Sequence, residues 1–318
     1  MSAHYNDAQG PRRGALFNSD GAWVSSPRMA GGIRVIFNGV RGSTPCAGPE
    51  YAHFGGHSAS VALETEGQPP ILFDLGTGLR PYASRCDGVF RGVALLSHLH
   101  WDHVQGLPFF TPLHCEGATL DVYGPRQDGG PLGDVFTEMM RPPFFPIMPD
   151  QLTGSVRFQD TGEDDFSIGA ARVKARWVRH IGATLGFRID VGSLSIAYLP
   201  DHGPGSTPKN TDDYIPASVL ELCDGVDILI HDAQHTAAEF AAKWDWGHCT
   251  TEYAVEVARA AAARRLVLFH HDPAHGDNDL VAIEHCTADY SARIGGPEVT
   301  ASYEGLEIEL ATVRPGAE

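Results

Sequence analysis

His98-Leu99-His100-Trp101-Asp102-His103, preceded by Gly92-Val93-Ala94-Leu95-Leu96-Ser97, is the stretch whose reading decides the fold. The six residues before it form a short apolar run of the kind that makes a fully buried strand. A buried strand is therefore aimed at a polar tip. On an extended chain side chains alternate, so His98 and His100 point the same way, while Asp102 and His103 fall where the chain must turn and face elsewhere. One segment thus offers donors in two directions, which suits two metal ions better than one.

Outward from this stretch, other histidines and aspartates fall at comparable places. His180 lies between the β-rich segments 171–178 and 184–190, Asp201 follows the segment 194–199, and His270 follows Leu266-Val267-Leu268-Phe269. Asp74 closes the short apolar run Ile71-Leu72-Phe73 and precedes Gly76 and Gly78, a place that also suits a turn or cap residue. A sheet gathers such strand-end groups at one edge. His98, His100, Asp102, His103, His180, Asp201 and His270 make a seven-donor set for two divalent ions. Imidazole and carboxylate donors without thiolate fit zinc, and they also accept manganese or iron. Two such ions would share a hydroxide and polarise an ester or phosphoryl oxygen, which makes hydrolysis the natural chemistry.

The remaining chain supports an α/β class. Ile33 to Phe37, Ser58 to Glu64 and Ile71 to Phe73 read as a β-meander, and Thr119 to Tyr123 as a further strand. Leu132 to Met140 reads as a short helix. Thr251 to Arg264, alanine-rich with Tyr253, Val257 and Ala260 on one face, is the clearest helix, and Asp277 to Arg293 is another. Between strands lies Arg141-Pro142-Pro143-Phe144-Phe145-Pro146-Ile147-Met148-Pro149, whose prolines exclude regular structure and whose apolar bulk fits a pocket border or a loop folded on the core. Residues 1–31 lack periodicity and read as a flexible N-terminal arm, leaving 32–318 as a single catalytic domain.

Composition narrows the partners. A net charge of −17 offers no basic face for a phosphate backbone, so a small-molecule substrate is favoured over a long nucleic acid. The six cysteines are scattered without a CxxC pair, and no apolar run approaches the ~20 residues of a membrane span. No signal peptide is recognisable, so a cytoplasmic address is the default, and a homodimer is compatible with the sequence.

With these residues in view, the chain resembles a metallo-β-lactamase-fold hydrolase, nearer to the ribonuclease Z and small phosphodiesterase branch than to the lactamases. The resemblance runs from about Ile33 onward, and it implies a four-layer αβ/βα sandwich of two mixed sheets flanked by helices. It also implies that His98, His100 and His180 hold one ion, that Asp102, His103 and His270 hold the other, and that Asp201 bridges them. His270 is preferred to His271 because the family's last ligand directly ends a strand. Asp74 matches an aspartate that supports the site from behind the ligands. Gly247-His248-Cys249-Thr250 is similar to the branch's GHST-like segment, whose histidine assists the leaving group, and Asp232 matches its acidic partner.

Two departures qualify the resemblance. Between Leu107 and His180 there is no basic, glycine-rich insertion like the tRNA-gripping arm of ribonuclease Z, and the PTxxRN-like element is absent. The expected activity is accordingly hydrolysis of a small, cyclic or nucleotide phosphodiester. A lactone or ester hydrolase is the nearest alternative, then a tRNA 3′-processing endonuclease, with a non-catalytic metal- and RNA-binding module as the non-enzyme reading.

Overall fold

The computed structural model describes residues 32–207, 209 and 211–311. The expected arm, residues 1–31, lies outside the described residues, as do residues 312–318. Two seven-stranded sheets face each other. The first carries, in spatial order, β14 (Glu307–Ala311), β1 (Gly32–Gly39), β2 (Ser60–Thr65), β3 (Ile71–Phe73), β4 (Arg91–Leu95), β5 (Thr119–Pro125) and β6 (Ser155–Thr161). The second carries β13 (Glu298–Ala301), β12 (Arg265–Phe269), β11 (Ile228–Asp232), β10 (Leu194–Leu199), β9 (Leu185–Val191), β8 (Ala171–Trp177) and β7 (Asp165–Ile168).

Each sheet is mixed. The β1–β2–β3 meander is antiparallel, whereas β3 through β6 run parallel. In the second sheet β10 through β13 are parallel and β7 through β10 antiparallel. Between the sheets Phe37, Phe73, Phe187, Tyr198 and Phe269 are fully buried. Large aromatic side chains of this kind contribute roughly 1.5–3 kcal/mol each on burial. On the outer face of the first sheet, Leu79 and Tyr82 of α1 (Leu79–Ala83) join Val104 of α2 (Trp101–Val104) and Phe136 of α3 (Leu132–Met139). Leu222 of α4 (Ala217–Cys223) and Tyr253 and Val257 of α6 (Thr251–Ala260) cover the second sheet, with α7 (Asp277–Ile294) beyond. The result is the helix–sheet–sheet–helix sandwich expected from sequence.

The clearest predicted helix is shorter than its alanines suggest. It ends at Ala260 rather than Arg264 because Ala262 turns left-handed (φ 52°). The amides of Ala261, Ala262 and Ala263 then close on the oxygens of Val257, Arg259 and Ala258. That closure releases the chain into β12 at Arg265, so the demands of the next strand override alanine's helical propensity. The short helices α4 and α5 (Ala237–Lys243) and the edge strands β6, β7, β13 and β14 were not foreseen. In β14 the glutamates face water while Ile308 is buried, the alternation of a half-buried edge strand.

Parallel strands place their C-terminal ends together. β4 delivers His98 three residues past its end, β10 delivers Asp201, β11 ends on Asp232 and β12 hands over to His270. The loop between β8 and β9 brings His180 to the same edge.

Candidate metal centre

All seven donors expected from sequence converge. Donor atoms of His98, His100, His180 and Asp201 lie within 4.8 Å of one another, and so do those of Asp102, His103 and His270. Asp201 reaches both groups. Its Oδ2 is 3.6 Å from His98 Nε2 and 3.4 Å from His180 Nε2, while its Oδ1 is 3.0 Å from His103 Nε2 and 3.3 Å from His270 Nε2. Asp102 Oδ2 stands 3.1 Å from His103 Nε2 and 3.0 Å from His270 Nε2.

The hydrogen bonds behind these atoms set their tautomers. Asp74 accepts from the Ser97 amide (2.7 Å), the Ser97 hydroxyl (2.9 Å), the Tyr198 hydroxyl (2.8 Å) and His103 Nδ1–H (2.7 Å). Because the Ser97 hydroxyl is spent on Asp74, its oxygen must accept from His98 Nδ1–H at 3.0 Å. His180 Nδ1–H donates to the Gly247 carbonyl at 2.8 Å, and His270 Nδ1–H to Gln234 Oε1 at 3.0 Å. All four rings therefore turn an Nε2 lone pair inward. His103 Nε2 and His270 Nε2 face each other at 3.2 Å, an approach that needs a proton or a metal cation between the two nitrogens.

Electrostatics agree. Burial pushes His98 far down, lowers His100, and lowers His180 to about 4, so all three imidazoles are neutral near pH 7. Burial also opposes a charge on His103, but Asp102, Asp201 and Asp74 together raise it well above its ordinary value. The field that favours a proton on His103 Nε2 favours a metal ion there equally. Asp102 and Asp201 are held below the carboxylate range: burial opposes the charge and neighbouring imidazoles outweigh it. His98 Nε2 and Asp201 Oδ1 are buried without a hydrogen-bond partner, although Asp201 Oδ1 is within contact distance of two rings. A ring nitrogen and a carboxylate oxygen buried in this way each cost on the order of a few kcal/mol if left uncompensated. These residues fit divalent metal.

The backbone is shaped for this purpose. Ser43, Asp74 and His270, three of the four described non-glycine residues with positive φ, all belong to the site. Left-handed backbone costs such residues on the order of 1–3 kcal/mol and persists where the surroundings impose it. Gly247, at φ 89°, lets the chain approach His180, where a Cβ would come within 2.5 Å of Nδ1.

His248 lines the cavity of about 400 Å³ over the donors, with Ser43, Leu99 and Trp101 on other walls. Its Nδ1–H donates to Asp232 Oδ2 at 2.7 Å, leaving Nε2 as the atom available to the cavity. Asp232, fully buried, also accepts from the amides of His202, Gln234 and Cys249. Burial disfavours a charged His248, yet Asp232, Asp201 and Asp102 outweigh it, and the imidazole is raised above its ordinary value. Asp74 touches no cavity surface; it is a positioning residue behind His103. His271 Nε2–H donates to the Ser302 carbonyl at 2.8 Å and takes no part in either donor group.

Sequence reasoning missed Gln234, which accepts from His270, donates Nε2–H to Ser43 Oγ at 3.2 Å and binds Asp232 through its own amide. It also missed Ser43, whose amide donates to Asp102 Oδ2 at 2.7 Å, and the Tyr198 hydroxyl. A lone Gln, Ser or Tyr carries no spacing signal; only position after β11 could have drawn attention to Gln234.

A model of the beta-lactamase superfamily domain matches residues 71–271. The chain belongs to that superfamily, and its two-sheet sandwich with His/Asp clusters is that of a metal-dependent hydrolase of the metallo-β-lactamase fold. Ribonuclease Z of Natronomonas pharaonis is 26% identical over 276 residues, 75% of this chain and 86% of the relative. Among solved structures, the metallo-beta-lactamase fold protein YhfI from Bacillus subtilis aligns with a TM-score of 0.65 at 19% identity, spanning 88% of this chain and 100% of its own. A diphosphatase of the PhnP family aligns with a TM-score of 0.61 at 19% identity, spanning 87% of this chain and 98% of its own. Both structures share the fold. Among the described residues, no helix is long and apolar enough to cross a membrane.

Proposed function

We propose that the protein is a dinuclear phosphodiesterase acting on a small phosphodiester. The observation that carries this reading is Asp201, whose two oxygens face two separate donor groups. In this reading His98, His100 and His180 hold one ion, Asp102, His103 and His270 hold the second, and Asp201 joins them; zinc is the metal the donors favour, with manganese or iron compatible. When bound, two such ions supply an activated water and neutralise charge on the phosphoryl oxygens.

The chain's own groups do the rest. Asp74 and Gln234 hold His103 and His270 in the tautomers that present Nε2. Water adds to phosphorus and releases a proton to solvent, the P–O bond to the leaving group breaks, and His248 Nε2–H passes its proton to the departing oxygen and is reprotonated from solvent. Asp232 keeps that ring oriented and protonated. Small size is supported by the segment from Leu107 to His180, which is taken up by β5, α3, β6, β7 and β8 with their loops, and by the charge of −17. The ribonuclease Z relatives support phosphodiester chemistry as such. Six unpaired thiols support a reducing, cytoplasmic setting.

The test is turnover of bis(p-nitrophenyl) phosphate against a lactone panel, with metal loaded and after chelation. Phosphodiester turnover abolished by chelator is expected; lactone turnover alone sinks the proposal in favour of an esterase. His248→Ala is expected to lower kcat by about 10²- to 10⁴-fold, the usual share of a general acid, while metal content stays unchanged. Loss of metal in that variant would instead make His248 a ligand.

A further inference from the structure

We infer that the cleft between α2, α3 and the loop 141–149 is a subsite for an aromatic group on the retained side of the phosphodiester, an inference that rests on the reading above. The cleft has a volume of about 560 Å³ and is walled by Leu99, Trp101, Phe109, Met140, Phe144 and Phe145. Its size falls in the roughly 300–1,000 Å³ range of small-molecule sites. Leu99 and Trp101 line this cleft and also the cavity over the metal donors, so the two spaces adjoin across a shared wall.

Exposure singles the cleft out. Trp101 is 75% exposed, Phe144 81% and Phe109 59%, the three most exposed large apolar side chains among the described residues. Trp101 opens the helical turn that carries Asp102 and His103, so the turn that supplies two donors also supplies an aromatic face. Phe109 meets Phe145 edge-to-face, with centroids 5.7 Å apart at 88°, which props one wall. Clustered exposed apolar surface beside a reaction cavity marks a binding site.

The lining selects the occupant's chemistry. Glu138 is the one charged residue on the cleft, and it pairs with Arg141, so a neutral group is favoured there over the anionic phosphate. Aromatic walls gain most from a planar ring, which they can stack or meet edge-on. Gln105, at the rim, offers an amide to polar atoms on such a ring's edge. The retained side is assigned because His248, which serves the leaving oxygen, lines the donor cavity but not this cleft, whereas Leu99 and Trp101 line both.

Methyl and phenyl p-nitrophenyl phosphate share a leaving group and differ only in the retained one. The metal-loaded protein is expected to show kcat/KM about tenfold higher for the phenyl ester, the scale of one aromatic stack. Phe144→Ser should remove most of that preference while leaving the methyl ester nearly unchanged, and Trp101→Leu should lower the phenyl-to-methyl ratio as well. Phe144 stands clear of the core, and metal content is measured for Trp101→Leu because of its neighbours. A phenyl-to-methyl ratio near unity, or one that Phe144→Ser leaves intact, overturns the inference. Dimerisation abolished by Phe144→Ser with the ratio unchanged overturns it too, in favour of a second copy as the occupant. Should neither ester turn over, the phosphodiesterase reading fails, and binding decides the subsite separately. Quenching of tryptophan fluorescence by diphenyl but not dimethyl phosphate, lost in Trp101→Leu, supports an aromatic subsite; its absence removes it.

Discussion

The two donor groups are unequally braced. Around Asp102, His103 and His270 every side chain is tied from behind: Asp74 holds His103, Gln234 holds His270, and the Ser43 amide holds Asp102. Around His98, His100 and His180 the supports are a serine oxygen and a backbone carbonyl, and His100 is the exposed member of all seven. The difference teaches that one half of the centre is preorganised by buried charge and the other leans on its neighbours. Partners behind a ligand fix its ring and raise its basicity, so the braced half should hold metal more tightly.

Breaking the shared element has the largest expected effect. Asp201→Ala takes a donor from both groups at once, so metal content by atomic emission should fall at both sites, and turnover should drop on the order of a thousandfold. Retention of two ions per chain would remove Asp201 from the centre.

Next comes the brace itself. Asp74→Asn replaces the acceptor of His103 Nδ1–H with an amide that can present NH₂, and metal affinity should fall about 10–100-fold at the braced group, read by chelator competition. Tyr198 and Ser97 lose the same acceptor, so thermal stability, measured alongside, should decrease as well. Equal loss from both groups would erase the asymmetry.

Gln234→Ala probes the smallest effect. The His270 Nδ1–H bond is lost while His103 and Asp102 keep their partners, so affinity should fall about tenfold, the low end for such partners. An unchanged competition curve would show that Gln234 does not hold His270.

How much could be read beforehand differs by element. His98 through His103 and the strand-end positions of His180, Asp201 and His270 were legible because chain alternation and strand ends follow local rules. The α/β class was likewise visible in apolar runs that alternate with helical periodicity, whereas the two-sheet sandwich came from the family resemblance. The end of α6 was not, because Ala262 adopts its left-handed turn for the sake of β12, a demand from outside the helix. Asp74 was ambiguous between a turn residue and a support, and only the 2.7 Å bond to His103 separates the two. For Gln234 no periodic signal exists.

By itself, then, the sequence determined which residue types are available as donors and that a sheet edge would present them, since both follow from composition and short-range geometry. Tertiary structure alone decided that Gln234 and Asp74 stand behind His270 and His103, that Ser43 caps Asp102, and that Trp101 opens onto an aromatic cleft. Those outcomes depend on how distant strands pack across a shared core, where the left-handed turns at Asp74 and His270 are held in place by contacts no local stretch contains.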